Sequence, residues 1–118
     1  MVNGHEISAT VASTFAQREQ GLMNRRDLGR DKGMLFVFPK AGHHSMWMKN
    51  TLIPLSVAFI DRNGVIVNIE EMAALSLDRH TAQKPAKYAL EMNADWFRHH
   101  GVKAGNAVRG LDHAGRAH

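Results

Sequence analysis

Three groups of side chains in this 118-residue chain have the types that binding or catalysis needs. The first is Trp47-Met48-Lys49-Asn50. On an extended strand alternate residues share a face, so Trp47 would lie beside Lys49, and Met48 beside Asn50. An indole ring next to an ammonium and an amide can hold a sugar or an anionic small molecule by stacking and hydrogen bonding. The same residues also have a structural use. Asn50 and Thr51 can satisfy backbone in the turn before Pro54, and Trp47 can fill core. Lys49 is the hardest to explain by packing, because Leu52, Ile53 and Leu55 make its surroundings the most apolar of any lysine in the chain. Its cation must either extend its head to water or pair with a carboxylate. Asp61 and Glu91 are the candidates for that pairing.

The second group is Arg25, Asp61 and Glu91, each expected at a strand end or loop. An Arg–carboxylate pair among them would be a structural clamp, favoured by the fork geometry of guanidinium. Facing a cleft, the same groups could bind substrate. Two carboxylates acting on a glycosidic bond would have to face each other at ~5–10 Å, which makes Asp61, Glu91 and Lys49 the set for a hydrolase or lyase.

The third group is His43, His44, Met46 and Met48. Imidazole and thioether suit Cu(I), and a strand through HHSMWM would put His44, Met46 and Met48 on one face. Methionine is equally a filler of irregular core, and that use is preferred here; no metal and no cofactor are expected. His99 and His100 close a short helix, where imidazolium is favoured by the helix dipole. The serines lack the context of an activated nucleophile, and there is no phosphate loop or dinucleotide fingerprint. With no cysteine in the chain, disulfides, thiolate metal sites and thiol nucleophiles drop out together.

Composition sets the frame for these groups. With 44% hydrophobic and 22% charged residues the chain is in the globular range, and its length suits one domain. The net charge of +4 is unevenly spread. Residues 18–49 and the last 21 are basic, and the middle is mildly acidic. That pattern admits an anionic ligand but lacks the dense basic clusters with interleaved aromatics of a nucleic-acid binder. The longest apolar run, Met34 to Phe38, is far below the ~20 residues of a membrane helix. No signal peptide is read at the start. A cytoplasmic location is expected for the chain as written, or a periplasmic or exported one if a leader has been removed.

The elements that must position these residues follow from periodicity and turn chemistry. Residues 5–13 alternate as a strand. Thr14 and Gln17 have capping-box spacing, so a short helix starts there and Gly21 ends it. Residues 24–33 read as a loop. GMLFVFP follows as a strand buried on both faces and closed by Pro39, which cannot donate to a ladder. Residues 44–50 form a further strand candidate. Leu55 to Asp61 alternates, Asp61-Arg62-Asn63-Gly64 is a turn signal, and Val65 to Met72 returns as the antiparallel partner. Residues 73–85 read as a loop, and 86–92 as a strand with Tyr88, Leu90 and Met92 on one face. Asn93 is expected to cap a second helix ended by Gly101, with a last short strand at 106–111. Hairpin-length links favour an antiparallel arrangement.

Four segments, GLMNR (21–25), GMLFVFP (33–39), WMKNTLIPLSVAFID (47–61) and YALEMNADW (88–96), resemble the bacterial and archaeal family known as domain of unknown function 192. The resemblance spans residues 6–109. It implies a compact β fold, often exported, with no assigned activity and no catalytic residues to carry over. It also implies an aromatic where Met46 stands and a longer, sometimes Cys-containing loop at 73–85.

The expectation is a single domain over residues 6–111 with a disordered tail over 112–118. Its fold is mainly β, a compact antiparallel β-barrel or jelly-roll-like sandwich with two short helices. The leading functional reading is a monomeric, non-catalytic binding or accessory module for a small-molecule or anionic ligand, with binding residues Arg25, Trp47, Lys49, Asn50, Asp61 and Glu91. The alternatives are a hydrolase or lyase on a polar, saccharide-like substrate and, below it, a metal-handling protein.

Overall fold

The computed structural model describes residues 1–115. Its frame is a five-stranded sheet in the order β1-β2-β7-β4-β5, built from β1 (Ser8–Ala12), β2 (Lys32–Gly42), β7 (Ala86–Asn93), β4 (Leu55–Ile60) and β5 (Ile66–Met72). A second, two-stranded sheet pairs β3 (Ser45–Met46) with β6 (His80–Thr81). The sheet does not close on itself, so the architecture is the mostly β, sandwich-like form rather than a barrel. Among the described residues no helix is long and apolar enough to cross a membrane.

The expected hairpin is present. β4 and β5 pair antiparallel from Leu55↔Met72 to Ile60↔Ile66, and Asp61 holds the turn by accepting from the Asn63 and Val65 amides at 2.9 and 3.0 Å. The antiparallel expectation fails at one pair. β1 runs parallel to β2, Ser8↔Lys32 to Ala12↔Phe36, and the link between them carries helix α1 (Phe15–Gln20). A parallel pair cannot be joined by a tight turn and needs such a crossover. α1 itself starts as the local chemistry dictates. Thr14 Oγ1 accepts from the Gln17 amide and Gln17 Oε1 accepts from the Thr14 amide, both at 3.1 Å, and Gly21 ends the helix at φ 49°.

Both faces of the sheet are covered, so every residue of β4 is buried. One core gathers Leu35, Val37, Ala58, Ile60, Leu90 and Met92 under Trp96 and Phe97 of α2 (Trp96–His99), with Val2, Val102 and Val108. Val2 is fully buried, so the packed region begins ahead of residue 6. The other core gathers Phe36, Phe38, Leu55, Val57, Phe59, Met72 and Ala89 under Leu22 and Met48. Tyr88, Leu90 and Met92 do share a face.

Four sequence expectations give way. β2 does not stop at Pro39 but runs on to Gly42, with a register break between Val37 and Gly42. Pro39 lies in that irregular stretch, where a missing amide costs nothing, and the Lys87 ammonium takes up the Phe38 and Pro39 carbonyls. The 44–50 strand shrinks to Ser45–Met46. Asn93 does not cap α2. It ends β7, and its amide donates to the Leu28 and Gly29 carbonyls at 2.9 and 3.0 Å; the cap position is Asp95 at φ 64°. In place of a last strand, Ala107 and Val108 make single bridges to Val65 and Val2. A 3-10 turn occupies Leu111–Ala114; residues 116–118 of the tail expected over 112–118 lie outside the described residues.

His100 is accounted for by packing. Its ring stacks on Trp96 at 4.1 Å, and its Nδ1 lies 2.8 Å from the Trp96 carbonyl oxygen.

Candidate functional site

A cavity of about 430 Å³ opens between α1, the core face carrying Phe36 and Phe38, and the small β3–β6 sheet. Each wall has a local cause. The α1 capping box sets the helix register, and the Arg18 guanidinium ties it to the sheet by donating to the Ser13 and Val37 carbonyls at 2.7 and 3.0 Å. At Gly21 the chain passes so close to Phe36 that a Cβ would sit 3.2 Å from its ring. His44 stacks on Phe38 at 3.8 Å and 12°. Its Nε2 lies 2.8 Å from the Lys40 carbonyl oxygen, so that nitrogen carries the proton.

The β3–β6 pair brings together residues far apart in sequence. Met46 pairs with His80, which sets Trp47 beside Arg79. The Arg79 guanidinium lies 4.9 Å from the Trp47 ring centroid, and the Lys49 ammonium 5.5 Å from it. Trp47 is half-buried and both cations are exposed, so the indole steadies two positive charges at the mouth by cation–π attraction.

Glu91 forms the floor. It sits on β7, the middle strand of the five, between Met34 of β2 and Val57 of β4. It is 3% exposed, and its carboxyl has no hydrogen bond or ion pair among the described residues. Burial pushes this carboxyl up from 4.5 to about 8, because the ionised form loses its hydration and gains no partner. At neutral pH Glu91 is therefore mostly a neutral acid that can donate a hydrogen bond into the cavity.

Of the six residues singled out from sequence, the cavity brings together Trp47, Lys49 and Glu91. Arg25, Asn50 and Asp61 stand outside it. Arg25 is an exposed loop residue. Asn50 is exposed at φ 56°, and its carbonyl accepts from the Asn24 amide at 2.9 Å. Asp61 is engaged in its own turn. The clamp of Arg25 with Asp61 or Glu91 does not form among the described residues, and neither does a buried pair of Lys49 with a carboxylate. Lys49 takes the other course, its head in water. Residues 47–50 are not a strand, since β3 ends at Met46 and the chain turns; Trp47 does lie beside Lys49, but Met48 and Asn50 part, one buried and the other exposed. Met48 is fully buried in the core, so it does not share a face with His44. Among the cavity residues missed from sequence are Arg18, Glu19, Thr51 and Arg79. None carried a local signal, for each reaches the cavity only through pairing of distant segments.

The chain is similar to two solved structures. A Sinorhizobium meliloti 1021 protein, provisionally described as a transcription regulator, is 39% identical with a TM-score of 0.85 over 87% of this chain and 81% of that one. A protein of unknown function from Novosphingobium aromaticivorans DSM 12444 is 30% identical with a TM-score of 0.87 over 90% of this chain and 79% of that one. No curated protein matches the sequence. The model of domain of unknown function 192, described as an uncharacterized ACR, matches residues 1–110, and the chain belongs to that family.

Proposed function

We propose that this protein is a bacterial, monomeric, non-catalytic module that binds a small anionic molecule in the cavity floored by Glu91. One observation carries the reading. A carboxyl on the middle strand of a sheet is buried except where it opens into the cavity, so whatever meets it, water or a ligand, does so through that cavity. The volume lies in the range of small-molecule sites. Phe36, Phe38 and Met46 supply apolar wall, and Lys49 and Arg79 give the mouth positive charge. With Glu91 neutral, the exposed carboxylate of Glu19 is the one negative charge opposing them among the described lining residues.

The hydrolase or lyase reading through Asp61, Glu91 and Lys49 stands second. A carboxyl held near pKa 8 in a cavity is the form a general acid takes, but Asp61 lies outside the cavity and no carboxylate pair faces a common point. A ligand-sensing role would suit the description of the Sinorhizobium protein.

The test is a two-dimensional amide NMR titration of the full chain with a mixed panel of millimolar carboxylates, phosphates and neutral fragments. Shifts are expected to concentrate at the amides of Gly21, Leu22, Met46, Trp47, Lys49, Arg79 and Glu91. Shifts scattered over the surface, or none with any member, would overturn the reading.

A further inference from the structure

Resting on the binding reading above, we infer that the cavity takes a small organic acid carrying a second, uncharged acceptor oxygen: its carboxylate meets Lys49 and Arg79 at the mouth, and its acceptor oxygen meets the Glu91 carboxyl at the floor.

The two ends of the site differ in chemistry, and the ligand class follows from that difference. At the floor stands the Glu91 carboxyl on the central strand, flanked by Met34 and Val57. A protonated carboxyl offers one donor, which matches one acceptor such as a ketone, ester or ether oxygen. A ligand carboxylate placed there would lie in the more buried part of the cavity, away from the two exposed cations, at a large desolvation cost. At the mouth, Lys49 and Arg79 are exposed and steadied over Trp47, so an anion bound there keeps part of its hydration and gains two charges. Between the ends, Phe36, Phe38 and Met46 call for an apolar body. A phosphate fits less well, because a dianion asks for a cluster of donors, and of the three Lys and Arg side chains in the lining Arg18 already donates to the Ser13 and Val37 carbonyls.

The titratable and charged groups that face Glu91 across the cavity are Arg18 and Glu19 from α1, His44 from the β2–β3 link, and Lys49 and Arg79 around the small sheet. Glu91 donates only while protonated, so affinity is full below its pKa and falls as the pH rises through about 8.

Calorimetric titration of the full chain tests this with 4-acetylbenzoate and 4-oxopentanoate, each against its neutral alcohol counterpart. The acids should bind at least tenfold more tightly than the alcohols at pH 7. Their affinity should drop by about thirtyfold between pH 7 and pH 9.5. Glu91→Gln, whose amide still donates, should bind at both pH values without that drop. Lys49→Met combined with Arg79→Met should bring acid affinity down to that of the alcohol. Alcohols binding as tightly as acids would overturn the acid class, and the reading above would then stand only if a phosphate of the NMR panel still shifted the cavity amides. An unchanged wild-type affinity at pH 9.5, or the same drop in Glu91→Gln, would overturn the role of the floor. No binding of any probe, together with no NMR shifts at the cavity, would sink both readings.

Discussion

Gly33 faces the backbone of Glu91, and a side chain there has no room: a Cβ would run into the Glu91 carbonyl oxygen and the Met92 sulfur. The glycine lets β2 come close to β7 where the cavity floor is built, in the register Gly33↔Met92 and Met34↔Glu91. The clash is with backbone, which cannot swing aside. Gly33→Ala should therefore cost about 3 kcal/mol or more, read from denaturant melts. A cost below ~1 kcal/mol would show that the strands separate here more easily than the packing implies.

Glu91 also makes stability depend on pH in an unusual direction for a carboxylate. The folded pKa of about 8 lies above the unfolded value of 4.5, so between those limits the folded state holds a proton that the unfolded state has lost. Stability then falls as the pH rises through that window, and is level below 4.5 and above about 8. Glu91→Gln removes the effect. The variant should match the wild type near pH 4 and exceed it by roughly 3 to 5 kcal/mol near pH 9. Parallel melts across that range check the sign. A wild type that gains stability relative to the variant on going from pH 5 to 8 would mean that the carboxylate is paired after all.

The parts of the fold that were legible are those in which cause and effect lie close in sequence. Thr14 with Gln17, and Asp61 with the Asn63 and Val65 amides, act within four residues, so residue type and spacing suffice to read them. The cavity is built differently. Arg79 meets Trp47 only because two strands of two residues each pair across a separation of more than thirty residues. Strands that short leave no periodicity to read. Pro39 misled for the same reason: the group that takes up the irregular stretch around it is Lys87, 48 residues away. Glu91 was expected at a strand end or loop; it lies instead inside β7, and its burial comes from the neighbours β2 and β4, which sequence order does not place beside it.

Lys49 and Arg79 are exposed and cation–π bound, without an ion pair among the described residues, so replacing them should scarcely affect folding. Lys49→Met and Lys49→Ala should each stay within about 0.5 kcal/mol of wild type. A loss near 3 kcal/mol in Lys49→Ala, with Lys49→Met tolerated, is the signature of a buried pair and would contradict the position of Lys49 at the mouth. Chemical denaturation of the two variants separates these outcomes.

Asp61 separates the binding reading from the catalytic one. Its carboxylate accepts two backbone amides in the β4–β5 turn at 2.9 and 3.0 Å and takes no part in the cavity wall. Asp61→Ala strands those two donors at an accessible turn, where water can replace part of what is lost, so the expected cost is about 1 kcal/mol. The affinity of the cavity for its acid probes should remain within twofold of wild type, since β4 carries Val57 beside Glu91 several residues before the turn. A variant that folds with the expected small loss but no longer binds would show that Asp61 reaches the ligand. That result would return the pair Asp61 and Glu91 to the position that hydrolase chemistry requires.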